Sequence, residues 1–228
     1  MKLGSKACLV PALLLLTGVA TATISYQHGI APPSAKVAGK TYAEWSASWW
    51  QWALALPAQP GHPFFDDDQF DVTAGQTGKV WFLAAPVTGA PVERTVTIPP
   101  GTRLFVPMAN IEASNLEAPP FYGGTEVEQR AAAKDFADLI VAPFCEIDGA
   151  SVDHVERYRF SSPQFTITLP DPNVYGLPAG SGTSVSDGYW AMIGPLSAGD
   201  HEIHFGGEFV GTVFGDIPID MTYHVTVQ

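Results

Sequence analysis

From Lys79 to its C-terminus the sequence is a succession of short apolar or alternating runs, each broken by Gly, Pro or Asp. "VERTVTI" alternates, with Val92, Arg94, Val96 and Ile98 on one side and Glu93, Thr95 and Thr97 on the other, the period of a half-buried strand. "KVWFLAA" is a continuous apolar run, and "PPGT" turns into the strand-like "RLFVPMANI". "CEIDGASV" carries Asp148-Gly149, a dipeptide that favours a two-residue hairpin turn. "ERYRFSS" and "QFTITL" are separated by Pro163, and four more runs follow from Asp187 onward. About ten short strands at this spacing predict a mainly β fold, a single β-sandwich of immunoglobulin-like or jelly-roll type. With 228 residues, 22 of them Gly and 20 Pro, the chain has the turns for such a fold and the length to bury a full core.

Two segments depart from the strand pattern. "EWSASWWQWALALP" packs four tryptophans into eight positions, which suits a sugar-stacking platform, a membrane-interface belt or a core. At helical spacing Tyr42, Trp45, Trp49, Trp52 and Leu56 form one stripe, while Glu44, Ser48 and Gln51 form a wet face. The stripe predicts a helix near 42–56 docked on apolar surface and ended by Pro57. Trp50 falls to the side with Leu54, which makes it, together with Tyr189, the candidate for stacking on a ligand. The second helix is expected near 126–141. Thr125 and Glu128 have capping-box spacing, and Ala132, Phe136, Leu139, Ile140 and Phe144 are its apolar face.

The N-terminus reads as an export signal over 1–22. Lys2 and Lys6 precede an apolar run shorter than a bilayer span, and "ATA" supplies small residues for cleavage. Residues 23–40 are expected as a flexible lead-in and 41–228 as the single domain. The chain is therefore expected to be secreted or periplasmic, with no membrane span after cleavage. Its formal charge of −12 argues against nucleic acid, whose phosphates it repels. Loss of Cys8 with the signal leaves Cys145 alone, so no internal disulfide is expected, and Cys145 reads as a buried small hydrophobe.

Chemistry is sparsely flagged. Asp66, Asp67, Asp68 and Asp71 in "FFDDDQFD" could supply oxygen ligands to Ca²⁺ or form a solvated acidic turn. The EF-hand pattern fails there, with Phe70 at a ligand position and Asp71 at the glycine position. His201 and His204 are three apart on a strand and fall on opposite faces, so they do not share a metal. A blue-copper site is excluded by the wide spacing of Cys145, His154 and Met192. "GSGTS" lacks the nucleophile-elbow pattern. Glu112 in "MANIEASN", with Asn110 on its face, is the weak candidate for a catalytic carboxylate.

The phrases "WSASWWQWALALP", "GQTGKVWFLAAP", "IPPGTRLFVPMANIE", "YRFSSPQFTITLP" and "DGYWAMIGPLSAGDHEIHFGG", in this order, resemble a group of uncharacterised secreted bacterial β-sandwich proteins. The resemblance runs from Tyr42 to the C-terminus. Relatives carry cysteines where this chain has residues such as Val72, Val96 and Ala113, so a disulfide implied by the resemblance is missing here. No activity comes with it. The expected function is an exported non-catalytic binding or surface-interaction protein, directed at a glycan or other cell-envelope component and stabilised by Ca²⁺. The alternative is an extracellular polysaccharide hydrolase using paired carboxylates.

Overall fold

Strand β2 (Val92–Ile98) buries Val92, Arg94, Val96 and Ile98 and exposes the residues between them, as its alternation dictates. The computed structural model describes residues 29–228 and confirms a mainly β architecture of two sheets with two helices. One sheet has the order β1 (Val80–Phe82), β3 (Arg103–Ser114), β8 (Gly180–Ile193), β6 (Arg159–Ser161), and β7 (Phe165–Leu169) also pairs with β8. The other has the order β2, β10 (Gly215–Val227), β9 (Gly199–Thr212), β4 (Ile140–Ile147), β5 (Ala150–Ser151). β1 runs parallel to β3 and β2 parallel to β10, while the remaining pairs are antiparallel. The expected hairpin at Asp148-Gly149 joins β4 to β5, and both turn residues have positive φ, 52° and 74°, the left-handed pair such a turn requires.

The sheets enclose an aromatic core. Phe105 on β3 stacks on Trp190 of β8 at 5.1 Å and 8°, and Phe205 of β9 stacks on Tyr223 of β10 at 6.1 Å and 8°. Each such ring taken from water stabilises the fold by roughly 1.5–3 kcal/mol.

Helix α1 (Tyr42–Ala55) starts at a capping box, Thr41 with Glu44. Its face is wider than the stripe that sequence periodicity draws: Trp50 and Leu54 are buried along with Tyr42, Trp49 and Trp52, and Trp45 is half-buried. The indole N–H groups of Trp45, Trp49 and Trp52 donate to the carbonyls of Val37, Leu83 and Ala74 at 2.9, 2.7 and 2.8 Å. The tryptophans therefore staple three irregular segments to the sandwich while filling its core.

Helix α2 (Glu126–Ala137) has the expected Thr125–Glu128 capping box but ends earlier than expected, with Asp138 as its C-cap. Leu139 lies beyond it, and Ile140 and Phe144 belong to β4 rather than to the helix face. "IVAPFCEI" is β-branched and contains Pro143, which cannot donate an intrahelical bond; pairing with β9 decides its conformation.

The 29–40 stretch of the lead-in is docked. Ile30, Ala31 and Val37 are buried, Ile30 bridges to Ile193, and the Tyr42 hydroxyl donates to the Ala31 carbonyl at 2.6 Å. The expected signal segment and the first part of the lead-in lie outside the described residues. Among the described residues no helix is long and apolar enough to cross a membrane.

Candidate functional site

One end of the sandwich is incompletely filled. Between α1, β3 and the β9–β10 hairpin lies a cavity of about 400 Å³. Trp49 and Trp50 contribute its α1 wall, Pro107, Asn110 and Ile111 its β3 wall. Phe209, Ile217 and Ile219 close it from the other sheet. Phe121 packs edge-on against Phe136 of α2 at 4.9 Å and nearly parallel to Phe214 at 6.1 Å. Val87 and Phe214, also on the lining, are 65% and 62% exposed and make an apolar rim. Among the described residues no charged side chain lines this space.

Two polar side chains on the lining have unmet hydrogen-bonding capacity. Trp50 is 6% exposed and its ring stands edge-on to Trp49 at 5.0 Å and 85°, yet its Nε1 has no partner. Asn110 is half-buried and its Oδ1 is buried without a partner. The backbone holds Asn110 closely. It pairs with Gly188, whose φ is +151°, and a Cβ at Gly188 would lie 2.4 Å from the Asn110 Cα. Only glycine permits that approach.

Glu112, two residues further along β3, is buried in a different environment. Its carboxylate accepts from Tyr175 Oη at 2.5 Å and from the Ser184 hydroxyl, and it is hydrogen-bonded to Glu117. Glu117 also accepts from Ser114 Oγ at 2.9 Å. Burial and the neighbouring Glu112 push the Glu117 carboxyl up to about 10, so it holds a proton at neutral pH and donates it to Glu112. Burial and the adjacent carboxyls likewise raise the Tyr175 hydroxyl well above the usual tyrosine range. The group is a pair of carboxyl side chains ringed by hydroxyls, and neither glutamate lines the cavity.

The four aspartates do not converge. Asp67 accepts from the backbone N–H of Gly61 and Gln69 at 3.0 Å each, and Asp71 accepts from Thr73 N and Oγ1 at 2.8 and 2.7 Å. These bonds hold both carboxyls below the usual aspartate range. Both side chains cap their own turns, while Asp66 and Asp68 are exposed. Among the described residues no group of three or more His, Cys, Asp or Glu comes together in a way that could hold a metal ion.

An open stacking platform needs an accessible ring face. Trp50 is not such a platform, because docking of α1 places it inside the cavity wall; Tyr189 is half-buried between the main core and the apolar cluster at the cavity end. His201 and His204 have separate partners, Asp148 and Asp220, each at 2.8 Å. Cys145 is buried as a free thiol. Sequence reasoning places Asn110 beside Glu112 but misses Glu117 and the far wall of the cavity. The available signal was "VFGD", where Val213 and Phe214 occupy a hairpin tip that is normally polar. No protein-family model, no curated protein and no solved structure matches the chain.

Proposed function

We propose that this is an exported, non-catalytic binding protein whose ligand site is the apolar cavity at the open end of the sandwich. The observation that carries this reading is the cavity: about 400 Å³, with no charged side chain among the described residues that line it, and rimmed by exposed Val87 and Phe214. That volume falls in the roughly 300–1,000 Å³ range of small-molecule sites, and exposed apolar rims mark surfaces that receive something apolar. Export rests on the N-terminal pattern of Lys2, Lys6 and the apolar run that follows. With Trp50 inside the wall, the ligand is an apolar envelope component rather than a stacked sugar. The hydrolase alternative draws less support. A glycosidase needs carboxyls about 5 Å or more apart, whereas Glu112 and Glu117 are hydrogen-bonded directly to each other.

An environment-sensitive apolar dye tests this reading. Wild-type protein is expected to bind one dye per chain, and Ala85→Phe, which enlarges a half-buried residue on the lining, is expected to weaken it at least about tenfold while the protein stays folded. Equal dye binding by the two folded proteins would remove the cavity from the reading.

A further inference from the structure

We infer that the tip of the β9–β10 hairpin is a lipid contact: Val213 and Phe214 enter the surface of a bilayer without net charge and bring the cavity mouth against it. The role given to the mouth rests on the reading of the cavity as a ligand site, whereas the contact itself rests on the hairpin. The turn does not need its apolar residues. Val213 and Phe214 are the central pair between Thr212 and Gly215, which face each other in the β9–β10 ladder. Gly211 and Gly215 supply positive φ, 68° and 91°. Thr212 Oγ1 accepts from the Phe214 N–H at 3.0 Å, and Asp216 Oδ1 accepts from the Gly211 N–H at 2.7 Å. These features fix the turn whatever stands at 213 and 214, where polar residues are the rule. Instead Val213 is 79% exposed and Phe214 62%.

The tip is continuous with the cavity mouth, because Phe214 lines the cavity together with Val87. Phe214 is also held in place, its ring nearly parallel to Phe121. Area and charge choose what covers this surface. Val87, Val213 and Phe214 together expose on the order of 300 Å². That is well short of the roughly 800 Å² per partner that a stable protein complex buries. A bilayer requires no matching surface, and each apolar side chain that enters it gains in proportion to its area. Lipid contact also demands that backbone donors be satisfied, and those of Gly211 and Phe214 are. Residues 208–221 hold Glu208, Asp216 and Asp220 but no Lys or Arg, and residues 85–91 hold no charge at all. Negative headgroups therefore repel this end of the molecule, and the surface that fits it has no net charge.

Flotation with phosphatidylcholine vesicles tests the inference. Wild-type protein is expected to float with them, and at low salt to bind at least about fivefold less to vesicles rich in phosphatidylglycerol. Val213 is not on the cavity lining, so Val213→Asp should lose phosphatidylcholine binding at least about tenfold while taking up the apolar dye as wild type does. If wild-type protein binds the dye but does not float, or if Val213→Asp floats equally well, the inference fails and the cavity reading stands. Equal or tighter binding to phosphatidylglycerol would overturn the choice of an uncharged surface. If the dye is refused while flotation depends on Val213, the cavity reading fails and the lipid contact stands without the role given to the mouth. A dimer that Val213→Asp dissolves, with no flotation, would assign the tip to a second copy of the chain instead. Wild-type flotation and the comparison of the two lipids decide the matter even if the variant does not fold.

Discussion

Trp49 and Trp50 are adjacent on α1 with their rings nearly perpendicular, but the Trp49 indole donates to the Leu83 carbonyl at 2.7 Å while the Trp50 indole donates to nothing. One ring closes the core. The other lines the cavity, while its Nε1 stays buried without a hydrogen-bond partner among the described residues.

That difference sets the stability of the two conservative variants. Trp49→Phe removes the donor to Leu83 and leaves a buried carbonyl short of a bond, so it should cost about 1–3 kcal/mol beyond the loss of packing. Trp50→Phe gives up no hydrogen bond and should be the milder of the two in urea unfolding. Equal losses would mean that the bond to Leu83 contributes nothing measurable.

The pair formed by Glu112 and Glu117 makes stability fall as pH rises. Folded Glu117 keeps its proton from its ordinary value of 4.5 up to about 10, a range in which the unfolded chain has lost it. Its contribution is therefore complete below pH 4.5 and is lost progressively as pH climbs towards 10. Glu117→Gln keeps a donor for Glu112 without the titrating proton. Melting temperatures between pH 5 and pH 9 should decline more steeply in wild type than in this variant, with the variant more stable at pH 9. At this chain length each kcal/mol moves Tm by about 2–4 °C. Parallel declines would show that the pair does not titrate as described.

Arg94 should control the ordering of the loop that follows α1. Buried on β2, it donates to the carbonyls of Pro63 and Phe65 at 3.1 and 2.5 Å and to the Tyr223 hydroxyl at 3.0 Å, and it lies 4.2 Å over the Phe70 ring. Arg94→Leu leaves these acceptors without a donor, at about 1–3 kcal/mol for each that stays buried. Chymotrypsin should then cut near Phe64, Phe65 or Phe70 several-fold faster than in wild type. An unchanged cleavage rate would show that the loop is held by other contacts.

Cys145 should be silent until the sandwich opens. Burial, with Glu146 beside it, pushes its thiol up to about 12, and the reactive species is the thiolate. With Cys8→Ser, which leaves Cys145 as the one thiol of the chain, a disulfide reagent at pH 8 is expected to leave the folded protein unlabelled and to titrate one thiol in denaturant. Rapid labelling of folded protein would contradict the burial of this side chain.

The elements that the sequence predicts correctly are those whose causes are local. Alternation sorts the two sides of β2, Asp148-Gly149 adopts its turn because two adjacent residues tolerate positive φ, and Thr125 with Glu128 starts α2 within four residues. Errors begin where distant chain competes. α2 stops at Ala137 because β9 offers Ile140 and its followers a strand partner. The segment 29–40 looks featureless until Ile193 and Tyr42 give it contacts.

The candidate site was visible only in fragments. Residue type singled out Trp50, Asn110 and Glu112 but could not say what surrounds them. Glu112 acquires its raised-pKa neighbour through the turn that brings Glu117 back to β3, and its hydroxyl partner Tyr175 comes from 63 residues away. The cavity exists because α1, β3 and the β9–β10 hairpin meet without filling the space between them, and an unfilled volume has no signature in any one segment. Period, caps and turns follow from interactions within a few residues. Which polar atoms are left without partners follows from how distant surfaces fit, and that was decided by the packing of the two sheets against α1.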